Sequence, residues 1–244
     1  MEDKIIYEVL RVVEGKPLFL ENHLKRMKNS FELINEEFKL SYDEISGKIK
    51  KLIINENKVE GNIKITYGIR EKLLEVFFIE HSYPSAEMYK NGVETILYFG
   101  ERENPNAKII NTNFREKVNQ EIKSRNVYEA ILVDSKGNIT EGSRSNIFMV
   151  KDNILITSPV KAVLPGVTRG EIISIARKLG IEVKEIEYKH SEISNLDGMF
   201  ISGTSPKILP IKMVDGVKLD VNNSIISKLI KEYNLEIKLY IQNH

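Results

Sequence analysis

Residues 139–148 read Ile139-Thr140-Glu141-Gly142-Ser143-Arg144-Ser145-Asn146-Ile147-Phe148, two short polar clusters set inside what would otherwise be a buried strand pair. Tyr128 to Val133 and Ile147 to Val150 predict strands around the turn Asp134-Ser135-Lys136-Gly137-Asn138. Phe114, Val118 and Ile122 predict a helix before them, and Val167-Thr168-Arg169-Gly170-Glu171 opens another that Leu179-Gly180 closes with a C-terminal glycine. The tail alternates strand, strand and helix, ending on Ile225, Leu229 and Ile230.

Toward the N-terminus, Lys4 to Val13 is largely β-branched or aromatic. Glu14-Gly15-Lys16-Pro17 breaks that run before Leu18-Phe19-Leu20, a pattern that predicts a hairpin. Leu24, Met27, Phe31 and Ile34 form a helical stripe that puts Arg26 on a different side, where on sequence alone a solvated face explains it equally well. Ser41 with Glu44 resembles a capping box for a second helix through Ile45, Ile49, Leu52 and Ile53. Strands are expected over Asn62–Ile69, Leu73–Ile79 and Val93–Phe99. The polar segment Gly100 to Asn106 then carries a proline and predicts an interdomain linker. The expected organisation is α+β, with a smaller N-terminal lobe over 1–100, a linker over 101–107 and a larger lobe over 108–244.

The 244 residues carry 36 Lys plus Arg against 35 Asp plus Glu, too balanced for a field that would hold nucleic acid or an anionic membrane. Small-molecule chemistry is the default expectation. With no cysteine, disulfides, thiolate metal sites and cysteine nucleophiles are excluded. The first fifteen residues, MEDKIIYEVLRVVEG, have early charge and no long apolar stretch, from which a cytoplasmic protein is expected. There is no Walker loop, no G-x-G-x-x-G after a strand, no H-E-x-x-H and no G-x-S-x-G. His23, His81, His190 and His244 are scattered, so no metal site is expected.

The 139–148 stretch resembles the signature of the fold-type IV pyridoxal-phosphate (PLP) enzymes, the family of branched-chain aminotransferases, D-amino acid aminotransferase and aminodeoxychorismate lyase. Three more matches follow the family's order. Residues 21–27, which include His23 and Arg26, resemble its H-x-x-R-[LM] helix; Leu164-Pro165-Gly166-Val167-Thr168-Arg169 resembles L-P-G-[IV]-T-R; Ile201-Ser202-Gly203-Thr204-Ser205 resembles its S-G-T segment. The family places its Schiff-base lysine about twenty residues before a Y-E-A strand, which selects Lys108 ahead of Tyr128-Glu129-Ala130, with Asn111 completing K-x-x-N. Without these matches Lys108 would read as an ordinary surface lysine.

The resemblance implies a two-domain D-amino acid aminotransferase-like fold with PLP between the lobes, a homodimer, and an amino acid and a 2-oxo acid as substrates. It implies that Lys108 carries the cofactor and moves the substrate proton. Glu141 would pair with the pyridine nitrogen, and Arg26, Val167, Thr168 and Thr204 would hold the phosphate. Thr168 is also a candidate N-cap, and Ser145 and Asn146 are expected to buttress the turn near Glu141. Ser205, Tyr7, Tyr67 and Arg70 are the candidates for the substrate. The chain departs from the family where its Gly-Asp-Gly segment would fall, at Asp3-Lys4-Ile5. It also lacks the substrate-binding arginine patterns over residues 64–70, and has Asn113 where the branched-chain enzymes carry a tyrosine. The favoured activity is amino-group transfer, with an aminodeoxychorismate-type lyase and a PLP-binding protein of impaired turnover as alternatives.

Overall fold

The structure, a computed structural model, describes residues 4–102, 105–109 and 112–244. Asp3, Asn111 and part of the expected linker lie outside the described residues. The chain divides into two compact units. One comprises Met1–Ser82, Ala107–Ile110 and Leu235–His244; the other comprises Tyr83–Asn106 and Asn111–Asn234.

In the first unit, alternation along β1 (Ile5–Val13) buries Ile6, Glu8, Leu10 and Val12 on one face. β1 pairs antiparallel with β2 (Lys16–Pro17) and β3 (Gly61–Gly68), and β3 pairs with β4 (Leu73–Ile79), giving the order β2-β1-β3-β4. The expected hairpin is present, but its second arm is Lys16–Pro17. Phe19 turns into the left-handed region (φ 53°) and Leu20 already begins α1 (Leu20–Glu32). Ser41 caps α2 (Tyr42–Glu56) as its box predicts, its hydroxyl accepting from Glu44 N–H at 3.1 Å. The two helices set Leu24, Met27, Phe31, Ile45 and Ile49 against Ile6, Leu10, Ile63 and Ile65 to make the core of this unit.

The second unit takes in Tyr83–Asn106 as well as Asn111–Asn234. α3 (Ala86–Asn91) and β5 (Val93–Phe99) belong to it because β5 runs parallel between β6 (Glu129–Val133) and β12 (Lys207–Val214), the long-range pairing that defines this sheet. α4 (Thr112–Ser124) leads into β6. β7 (Ile139–Gly142) and β8 (Asn146–Lys151) follow, then β9 (Ile154–Thr157), α5 (Val167–Lys178), β10 (Val183–Glu185) and β11 (Gly198–Gly203). β13 (Val217–Lys218) precedes α6 (Ser224–Asn243), whose last residues, from Leu235, fall in the first unit.

The strand order runs β10-β9-β8-β11-β12-β5-β6-β7, with β13 on β12. A further pairing of β7 with β8, at Glu141↔Asn146, closes β8 to β7 into a barrel. Ile131, Ile139, Ile147, Met149, Ile201, Leu209 and Ile211 make its packed core, so the polar residues of 139–148 are displayed at a strand end by a rigid scaffold.

Candidate functional site

Each unit holds part of the expected constellation. In the first, Lys108 lies beside β1 rather than in the larger lobe: Tyr7 N–H donates to the Lys108 carbonyl at 3.1 Å, and Ile6 and Ile109 form an isolated antiparallel bridge. The half-buried Lys108 Nζ stands 4.7 Å from the centre of the Tyr7 ring, a cation–π contact, and Lys64 Nζ is 5.2 Å from the same ring. Lys108 N–H donates to Ser30 Oγ (3.2 Å), and that hydroxyl donates to the Arg26 carbonyl (3.1 Å). Lys108, Tyr7 and Arg26 are thereby joined through backbone and one serine.

Arg26 is not on a solvated face. It is 8% exposed, and its Nε (2.8 Å) and Nη2 (2.5 Å) donate to the two oxygens of Glu8, which also meets His23 Nδ1 at 2.8 Å. Burial pushes the Glu8 carboxyl up. The Arg26 charge and the hydrogen bonds from Arg26 and His23 outweigh that and hold it at about 2. Burial also lowers His23, and the charges of Arg26 and Lys108 add to that against the pull of Glu8, so the site favours the neutral ring. Sequence reasoning missed Glu8, although a signal was there: it falls in phase with Ile6 and Leu10 on the buried face of β1, where a charge needs a partner.

Tyr67 and Arg70 are not gathered around Lys108 by any of these bonds. The Tyr67 ring packs 5.2 Å from Phe31 at the margin of the core, and Arg70 is exposed in the turn after β3.

In the second unit the turn between β7 and β8 is braced by Glu129, the acid of the Tyr128-Glu129-Ala130 run. Its Oε1 accepts from the backbone of Ala130 (3.0 Å) and Ser143 (3.2 Å) and from Ser143 Oγ (2.5 Å), and its Oε2 accepts from Ser145 Oγ (3.2 Å). Glu141 is 4% exposed. Arg102 Nε donates to its Oε1 at 2.7 Å and Arg102 Nη2 to the same atom at 2.5 Å, while Leu164 N–H donates to its Oε2 at 3.0 Å. Asn146 Nδ2 donates to the Leu164 carbonyl at 2.9 Å, tying β8 to the segment that also holds Glu141, and Ser145 is held by Glu129.

Two residues beyond Leu164, Gly166 is the N-cap of α5 and no side chain caps the helix. Val167 and Thr168 therefore supply its first N–H groups, and Thr168, 6% exposed, lies inside the helix rather than at the cap. A β-carbon at Gly166 would overlap Asn146 Oδ1, so any larger residue there has to displace the Asn146 side chain. Ser202 pairs with Asn146 across β8 and β11; it is fully buried and its hydroxyl has no hydrogen-bond partner among the described residues. Thr204 and Ser205, half-buried, form the turn that follows β11.

A buried carboxylate and an uncapped helix N-terminus, tied together by one backbone amide, suit a ligand with a basic nitrogen at one end and an anion at the other. Arg102 was also missed, and here the sequence held no signal: its partner lies far along the chain. Among the described residues no group of three or more acidic or histidine side chains could hold a metal, and no helix is long and apolar enough to cross a membrane.

The chain is 26% identical to D-alanine aminotransferase of Bacillus licheniformis, over 93% of this chain and 89% of that one. It is 28% identical to the branched-chain-amino-acid aminotransferase of Escherichia coli K12, over 81% of this chain and 70% of that one. Among solved structures, the E. coli branched-chain amino acid aminotransferase superposes with a TM-score of 0.84 at 23% identity, covering 96% of this chain and 86% of that one. A Legionella pneumophila protein provisionally assigned as 4-amino-4-deoxychorismate lyase gives 0.86 at 24%, covering 96% and 91%; at these identities both likenesses bear on the fold. The family profile described as Amino-transferase class IV matches residues 5–214, and the chain belongs to that family.

Proposed function

We propose that the protein moves an amino group between a small amino acid and a 2-oxo acid with PLP bound through Lys108. Class IV aminotransferases use PLP, which supplies an electron sink for the bond changes at the substrate α-carbon. The observation that carries the proposal is the Leu164 amide. It ties Glu141, on β7, to the short segment that leads through the Gly166 N-cap into the uncapped start of α5, so an acid for the ring nitrogen and N–H groups for the phosphate are linked by one backbone hydrogen bond.

Within that reading each residue has one task. Glu141 holds a proton on the ring nitrogen. The amides of Val167 and Thr168, with Thr204, receive the phosphate, and Arg26 adds a guanidinium aimed by Glu8. Lys108, once its amine is released, takes the proton from the substrate α-carbon and returns it on the other side of the transfer. Tyr7 lies against the Lys108 side chain and Ser205 offers its N–H to the substrate carboxylate, with Tyr67 and Arg70 as further candidates for the substrate pocket. The reading extends to a cytoplasmic homodimer, supported by the family resemblance and the absence of cysteine.

The test is a spectral screen of amino acids against the purified holoenzyme. A donor should bleach the cofactor band and a 2-oxo acid should restore it. Lys108→Ala should lower turnover by about 10⁴-fold or more and lose the borohydride-reducible cofactor adduct. A mutant that keeps the adduct overturns the choice of lysine. Pyruvate release without a 2-oxo acid acceptor would make the enzyme a lyase, and cofactor binding with no half-reaction would make it a binding protein.

A further inference from the structure

We propose that Arg102 is the positioning residue of Glu141, fixing the direction and sharing the charge of the carboxylate that meets the ring nitrogen; this rests on the cofactor reading above. Arg102 Nε and Nη2 both converge on Glu141 Oε1, at 2.7 Å and 2.5 Å, and Nη2 also donates to the Pro105 carbonyl at 3.1 Å. The Arg102 side chain is 21% exposed and that of Glu141 5%, so the pair is largely withdrawn from water. The opposite oxygen is held by Leu164 N–H at 3.0 Å.

A carboxylate gripped on both oxygens from different parts of the chain cannot rotate about its terminal torsion without breaking one grip. Its plane is set before any ligand arrives, which is the condition for an oriented contact with a planar ring. The guanidinium also balances the charge of Glu141. The pair adds no net charge, and the ring nitrogen meets a carboxylate already shared with a cation. In this scheme Arg102 acts on the cofactor through Glu141, its bond to the Pro105 carbonyl being a tie within its own segment, and that separates it from a residue holding the phosphate.

A double-mutant cycle on PLP affinity, read by titrating the apo-protein, tests the scheme. Arg102→Gln should weaken PLP binding roughly 10- to 100-fold, the range in which partners that orient metal ligands act. It should also move the pH dependence of the bound cofactor's absorption band in the same direction as Glu141→Gln does. In the Glu141→Gln background the second substitution should cost less than about twofold, because the group it orients is gone. Arg102→Lys keeps the charge but loses the fork, and should fall between. If Arg102→Gln does not fold, the lysine variant decides by the same criterion. Unchanged affinity and spectrum in the Arg102 variants, or a full additive loss on top of Glu141→Gln, overturn the proposal. Should Glu141→Gln itself leave affinity and spectrum untouched, the role given to Glu141 fails instead.

Discussion

Glu8 of the first unit and Glu141 of the second are 0% and 4% exposed, yet they are buried by different means. Glu8 projects from the middle of β1 into the apolar cluster formed with α1, between Ile6 and Leu10 on the same strand face. Its partners, Arg26 and His23, ride on the helix that makes that core. Glu141 stands at the end of β7, and its partners, Arg102 and the Leu164 amide, lie outside regular strands and helices. The first carboxylate is therefore part of the packing of its unit. The second belongs to a set of loops carried by a barrel whose core is complete without it.

Removing the two acids in turn should have the largest and most unequal effects. Glu8→Ala leaves the Arg26 guanidinium buried without its carboxylate and should cost about 3–5 kcal/mol, with or without cofactor. Glu141→Gln keeps the shape of the side chain and should cost the apo-protein no more than about 1–3 kcal/mol, its main effect falling on cofactor binding. Urea denaturation of the apo-proteins measures both. Equal losses would mean that the carboxylates are not buried differently in any energetic sense.

Acid tests the burial of Glu8 directly. Glu8 titrates at about 2 in the fold against an ordinary 4.5, so its contribution is fully present above pH 4.5 and is lost as the pH falls from there toward 2. That is worth roughly 3 kcal/mol. His23, lowered from 6.5 by burial, adds to the same loss below pH 6.5, because the unfolded ring binds a proton that the folded one resists. Stability measured against pH should therefore fall on the acid side, and Glu8→Gln should flatten the limb below 4.5. An unchanged limb would show that other groups govern it.

Much of this was legible in the sequence, and what was not has a common cause. The spans of β1, α2, β5 and α5 follow from alternation, a capping box, a β-branched run and a C-terminal glycine, all local signals. The start of α5 is marked by a local motif too, and so are the positions of Lys108 and Glu141 proposed for the cofactor. The bridge between Ile6 and Ile109, which puts Lys108 against β1, and the parallel seat of β5 between β6 and β12 are pairings between distant residues. No window of sequence contains both partners. The same holds for Arg102 with Glu141, whereas Arg26 with Glu8 left a trace in the phase of β1.

A smaller effect is expected at Gly166. An alanine β-carbon would overlap Asn146 Oδ1, and moving that side chain breaks its bond to the Leu164 carbonyl. Gly166→Ala should cost about 1–3 kcal/mol and weaken PLP binding together with stability, because the displaced segment carries both the Glu141 clamp and the start of α5. Intact PLP affinity in a destabilised variant would detach that segment from the cofactor.

Ser41 gives the smallest effect and the cleanest contrast. Its hydroxyl satisfies the Glu44 N–H at the start of α2 and touches none of the residues assigned to the cofactor. Ser41→Ala should cost about 1 kcal/mol of stability and leave PLP affinity at the wild-type value. The pair of glycine and serine variants then asks whether stability and cofactor binding separate: loss of both at Gly166 and of stability alone at Ser41 is the pattern expected when the cofactor is held by the loops of the barrel unit. If Ser41→Ala weakened the cofactor as much as Gly166→Ala, affinity would merely be tracking global stability, and the assignment of a local role to the Leu164–Thr168 segment would have to be withdrawn.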